Sequence, residues 1–157
     1  MTYLLVKWLH IVLSTLIFGT GIGSAFYLLF ASLRRDAALA AGVARMVVWA
    51  DWLFTATTAV LQPLTGLWLV HLGGVPLSTP WVMWSIVLYV VAIACWLPVV
   101  HLQIRMRDLA AAAAQAQVAL PRAYWRCFRL WVALGIPAFF AFMAIFYLMV
   151  VKPAQVF

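Results

Sequence analysis

Charge is scarce in this chain. Only 8% of its 157 residues are charged, against roughly a quarter in soluble domains. A chain that is 69% hydrophobic, with a mean hydropathy of +1.12, cannot cover itself with polar surface. That excludes an ordinary soluble domain and makes the bilayer its expected solvent. Acidic residues number three against ten basic ones, giving a net charge of +7. The basic residues fall at the ends of apolar runs, where orientation and lipid headgroups account for them, so the excess does not point to nucleic acid. Cysteine is limited to Cys95 and Cys127. They lack metal-type spacing and lie in or near apolar stretches, so they read as reduced and structural. The opening run from Tyr3 to Leu33 is longer than a signal-peptide core and has no Ala-x-Ala site followed by polar sequence. It is expected to be a retained helix. A soluble domain, a low-complexity tail and a clear internal repeat are also missing.

What is there is a set of four long apolar segments, at about 3–33, 43–72, 79–109 and 124–151. Each exceeds the ~20 helical residues that cross a hydrocarbon core. Backbone groups in lipid must be satisfied within the segment, so helices are forced. The predicted fold is therefore all-α: a polytopic four-transmembrane-helix bundle forming one membrane domain over 1–157. Ala110 to Ala119 is helix-prone and is expected to carry the third helix out of the bilayer. Arg34, Arg35 and Arg45 follow the first segment, and Arg105, Arg107, Arg122, Arg126 and Arg129 surround the third loop. The stretch from His71 to Pro80 has no charged residue. The positive-inside rule puts the two arginine-rich loops in the cytoplasm and both termini on the outer, periplasmic side of a bacterial inner membrane. Tryptophans near the span ends form the expected aromatic belt.

Polar residues inside the spans carry the information, because burying them is costly. Helical spacing sorts them. On the first helix, His10, Ser14, Ile17, Gly21 and Ser24 share a face. Thr15, Gly19 and Gly23 make a small-xxx-small strip suited to close helix packing. On the second helix, Asp51, Thr55, Thr58, Gln62 and Gly66 form a seam expected to face the bundle interior. Pro63 should free a carbonyl near Ala59 and kink the helix. On the third helix, Met83, Val90, Leu97, His101, Arg105 and Asp108 share a face. Asp51 is the only acid within a span and should not stay ionised without a cation beside it. These residues predict a polar cluster of Arg45, Asp51, His101, Gln103, Arg105 and Arg129. It reads either as a structural ion-pair network or as an anion site for propionates, a quinone carbonyl or a lipid headgroup.

Depth counted from the arginines places His10 and His71 at nearly the same height, at ~1.5 Å per residue. The phase of His71 disagrees, since it lies about half a turn away from the Gln62 seam. His10 is therefore the strongest candidate metal ligand. Its axial partner stays open among His71, Met83, Met143, Met149 and water. Haem b fits such a site, because bundle cores place imidazoles across from one another. A satisfied packing histidine is the competing reading.

Several stretches carry a resemblance: Lys7-x-x-His10, Ala50-Asp51-Trp52, Gln62-Pro63-x-x-Gly66-x-Trp68, Cys95-Trp96-Leu97-Pro98, Leu102 to Asp108, and Lys152-Pro153. Together they resemble a family of small bacterial integral membrane proteins known as domain of unknown function 2269. A second resemblance covers mainly the first helix. Lys7-x-x-His10-Ile11, followed by Phe18 with glycine close after it and a basic exit, is similar to HemJ-type protoporphyrinogen oxidases, small membrane proteins that bind haem b. CopD-like membrane proteins share the broad plan. The HemJ resemblance implies a haem-associated role for His10 and an oxidoreductase activity. The chain has Cys95-Trp96-Leu97-Pro98 in place of the Lys/His region of those oxidases, and no Met-rich or His-rich tract for copper. Two readings follow. One is a haem-binding membrane redox protein with a membrane redox partner. The other is a non-catalytic subunit or scaffold that packs through Thr15, Gly19 and Gly23 into a homo-oligomer or a larger complex.

Overall fold

The computed structural model describes residues 1–153, and every regular element among them is helical. Four helices are long and apolar enough to cross a membrane: α1 (Thr2–Leu33), α2 (Ala37–Leu72), α3 (Pro80–Gln115) and α4 (Arg122–Val151). Two boundaries differ from expectation. α2 begins at Ala37 because the Asp36 side chain caps it, accepting from the Leu39 amide at 3.0 Å. α3 runs on to Gln115 because the alanines after Asp108 continue it. Arg35 and Gln117, both with positive φ, then turn the chain after α1 and α3. Proline opens α3 at Pro80 and stands just before α4 at Pro121.

The helices alternate in direction. Tyr3 lies against Gly73, and the Lys152 ammonium sits 5.4 Å from the Trp81 ring. Both ends of the described chain thus share a side with the 73–79 loop. At the opposite end, the Ser32 and Tyr124 hydroxyls meet at 2.6 Å, and the Arg35 guanidinium stands over Trp125. The packed core lies toward this second end. Leu28, Ala40, Ala44, Met106, Ala110 and Tyr124 are fully buried there. Small alanines on α2 let α3 approach closely. Elsewhere large apolar side chains face outward, as lipid contact requires: Trp49 is 72% exposed and Val150 82%.

Packing is uneven. α3 and α4 pack along much of their length, the first half of α2 lies on α3, and the second half of α2 leans on α1. α1 and α4 are bridged by rings. Phe18 stacks on Phe139 at 5.9 Å and meets Phe146 edge-on at 4.9 Å.

α2 is irregular at two places. Asp51–Thr55 is a π-helical turn, closed by the Ala56 amide donating to the Asp51 carbonyl. Pro63 then removes a donor further along. The carbonyl it leaves free, Ala59 O, accepts from the Tyr89 hydroxyl of α3.

Candidate functional site

His10 is held by α2. Its Nδ1 lies 2.8 Å from Thr65 Oγ1, and its Nε2 lies 3.2 Å from the Gln62 amide nitrogen. One assignment satisfies both ring nitrogens, although Gln62 Oε1 stays buried without a partner. Thr65 donates its hydroxyl proton to a carbonyl of its own helix, at Leu61 or Gln62. It can then accept from Nδ1–H, while the Gln62 amide donates to the Nε2 lone pair. The ring also presses on Gly66, where an added Cβ would stand 3.1 Å from Cε1. Glycine is needed here for the close approach of side chain to backbone.

This clamp bears directly on haem. Iron binds through a free imidazole lone pair, and both ring nitrogens of His10 are already engaged. The residues around His10 therefore do not fit an iron-ligating role in this arrangement. His71 does not join it. Tyr3 pairs with Gly73 and His10 with Gly66, so the antiparallel register sets His71 level with residue 5. That is about 7 Å along the helix from His10. The His71 side chain is exposed. Among the described residues no group of His, Cys, Asp and Glu could hold a metal ion.

A second site lies deeper, between α1, α3 and α4. It is a cavity of about 430 Å³, within the range of small-molecule sites. Ile17, Gly21 and Ser24 of α1 form one wall, and Trp131, Gly135 and Phe142 of α4 another. Ala92, Trp96 and Val99 of α3 form the back, and Asp51, Thr55 and Gln103 supply polar groups. A Cβ added at Gly21 or Gly135 would meet nothing within 4 Å, so these glycines keep space open. Ile22, Phe26, Ile136 and Phe140 line the cavity and are also exposed. They mark a mouth on the lipid-facing seam between α1 and α4.

Three residues lining this cavity carry a buried polar atom without a hydrogen-bond partner: Asp51 Oδ2, Gln103 Oε1 and Trp96 Nε1. Asp51 is 4% exposed and Gln103 3%. The other carboxylate oxygen of Asp51 accepts from Thr55 Oγ1 at 2.9 Å. The Gln103 amide lies close enough to act on the same carboxylate. Asp51 and Thr55 are the first and last residues of the π-helical turn. Such turns recur at functional sites because they re-aim side chains within a helix.

The expected cytoplasmic cluster is thus dispersed. Asp51 and Gln103 meet, but Arg45, His101, Arg105 and Arg129 are exposed. Helical phase explains this. His101 and Arg105 each stand two residues from the buried Gln103, about 200° around the helix. Arg129 stands two residues from the buried Trp131, and Arg45 lies six from Asp51, about 240° away. Among the described residues the one ion pair is Arg107–Asp108, at 2.8 Å and partly exposed. The face chosen on α3 from sequence, Met83 through Leu97 to Asp108, is the exposed one. The interior stripe runs through Ser85, Tyr89, Ala92, Trp96, Val99 and Gln103. Trp96 precedes Gln103 by seven residues, so heptad spacing was the signal that could have found it.

The seam on α2 is in place but serves two directions. Asp51 and Thr55 line the cavity, whereas Gln62, Thr65 and Gly66 turn toward His10. Thr65, three residues after Gln62, was legible by spacing. Thr15 and Gly19 are exposed, and a Cβ at Gly19 or Gly23 meets nothing within 4 Å. The small-residue strip does not pack within this chain. Cys95 and Cys127 are free thiols.

Four long apolar helices with a lipid-facing surface define a polytopic helical membrane protein. Residues 4–153 match the model of a family described as "Predicted integral membrane protein (DUF2269)", and the chain belongs to that family. Neither the curated proteins nor the solved structures give a match.

Proposed function

We propose that this chain is a membrane-embedded binding protein for a small, mostly apolar ligand that enters from the bilayer between α1 and α4. One observation carries the reading. Asp51, Gln103 and Trp96 all line one cavity, and each carries a buried atom without a hydrogen-bond partner: Oδ2, Oε1 and Nε1. A buried polar group without a partner costs about 1–3 kcal/mol. Three of them on residues around one apolar cavity are what a ligand with a polar head would satisfy. The two glycines that keep space open, and the exposed rings at the mouth, support the same reading. The arginine-bearing loops support an orientation with the 34–36 and 116–121 turns in the cytoplasm of a bacterial cell, which places the polar end of the cavity toward that side.

The test uses two aromatic probes of equal bulk, 1-naphthylmethanol and 1-naphthylmethylammonium, with protein in phosphatidylcholine nanodiscs. At least one should bind saturably, at one per chain, by equilibrium dialysis. Gly135→Leu should fill the cavity and abolish binding while the protein keeps its thermal midpoint. Absence of saturable binding of either probe, or binding unaffected by Gly135→Leu, would overturn the reading.

A further inference from the structure

We infer that the ligand of this cavity is an amphiphilic amine, held as its ammonium ion with Asp51 as counter-ion; this rests on the cavity being a ligand site. The three acids of the chain are not equivalent. Asp36 caps the start of α2 and Asp108 pairs with Arg107. Asp51 accepts a threonine hydroxyl on one oxygen and has the Gln103 amide nearby, while Oδ2 has no hydrogen-bond partner. Among the described residues, no lysine, arginine or histidine nitrogen pairs with it. A carboxylate held inside a membrane span is expensive unless a cation meets it. The chain does not supply that cation, so Asp51 can be held as its carboxylate when a cationic ligand meets it, and otherwise can stay protonated.

The surroundings suit an ammonium head in two further ways. Gln103, which lines the same cavity, carries a second buried unpartnered acceptor, Oε1. An ammonium carries several N–H donors and can serve both oxygens, whereas one hydroxyl proton serves only one. The cavity is also walled by aromatic rings, among them Phe18, Trp96, Trp131 and Phe142. Ring faces attract cations, most strongly where water is excluded. Trp96 Nε1 is the one buried side-chain donor without a partner among the described residues, so a ligand bearing an oxygen acceptor near the amine, as in an amino alcohol, suits all three groups. An anionic head would meet Asp51 at close range and is repelled.

The same probe pair tests this separately from the binding reading. 1-Naphthylmethylammonium should bind about tenfold or more tighter than 1-naphthylmethanol, from charge pairing and ring contact together. Asp51→Asn should erase that preference while the alcohol keeps its wild-type affinity. Gln103→Met, which leaves Asp51 in place, should weaken the ammonium several-fold more than the alcohol. Equal affinities for the two probes in the wild-type chain would overturn the inference but leave the cavity a ligand site. So would a preference that survives Asp51→Asn.

Discussion

The phenolic oxygen of Tyr89 lies 2.5 Å from the carbonyl oxygen of Ala59. Pro63, four residues on, has no N–H to offer that carbonyl. A side chain of α3 therefore replaces a missing rung of α2. The bond crosses between two helices whose backbones otherwise separate in this region. It ties the second half of α2 to α3, the helix that forms the back of the cavity.

Removing the hydroxyl should leave a carbonyl unpaired in the membrane. Tyr89→Phe is expected to destabilise the protein by about 1–3 kcal/mol. In a Pro63→Ala background, the helix regains its own donor, and the cost of Tyr89→Phe should fall by more than half. A double-mutant cycle on reversible unfolding in mixed micelles measures this coupling. Additive costs would show that the Tyr89 bond does not serve the proline gap.

The His10 clamp predicts a steric signature. Gly66→Val places a branched side chain where the imidazole ring sits, and overpacking of this kind costs about 1–3 kcal/mol. In His10→Ala the ring is gone and the same substitution should cost little. Thermal midpoints of the four proteins decide it. An equal penalty in both backgrounds would mean that the ring does not occupy that space.

A spectroscopic prediction follows from the same clamp. With Nδ1 and Nε2 both engaged, added haemin should give no Soret band that depends on His10. The measurement is an absorbance titration of detergent-purified wild type and His10→Ala. A sharp band present in the first and lost in the second would show that the clamp opens to iron.

Asp51 should cost the ligand-free protein stability. Asp51→Asn keeps an oxygen for Thr55 and removes a carboxylate that has no cation, so it is expected to stabilise the protein by about 1 kcal/mol or more. Unfolding in mixed micelles at neutral pH reads this out. A clear loss of stability would mean that the carboxylate is already compensated within the protein.

The architecture was legible because lipid leaves few options. Length, apolar runs and arginine placement were enough for the four helices, and their ends moved only where local chemistry intervened, as with Asp36 at the start of α2. The candidate site was legible in part. Asp51, Gln62 and Gln103 stood out as polar groups in apolar spans, but their partners did not. Depth along a helix can be counted, whereas the side of the helix depends on packing. His101 and Arg105 have the right depth and the opposite direction, so the expected cluster separated. Trp96 stood only within the Cys95-Trp96-Leu97-Pro98 stretch, and its orphaned N–H became visible only in three dimensions. Tyr89 gave no polar signal of its own, although the gap it fills at Ala59 could be foreseen from Pro63.

The π-helical turn at Asp51–Thr55 acts as a rotary offset within one continuous span. Counted in ordinary turns, Asp51 and Gln62 would point the same way. One wide turn delays everything after it by roughly a residue's worth of rotation, about 100°. A single helix can therefore serve two neighbours, sending its acid to the cavity and its amide to His10. The arrangement makes the clamp sensitive to the length of this turn. Losing any one residue from that turn would spare every side chain of the clamp, yet swing Gln62, Thr65 and Gly66 away from the imidazole together.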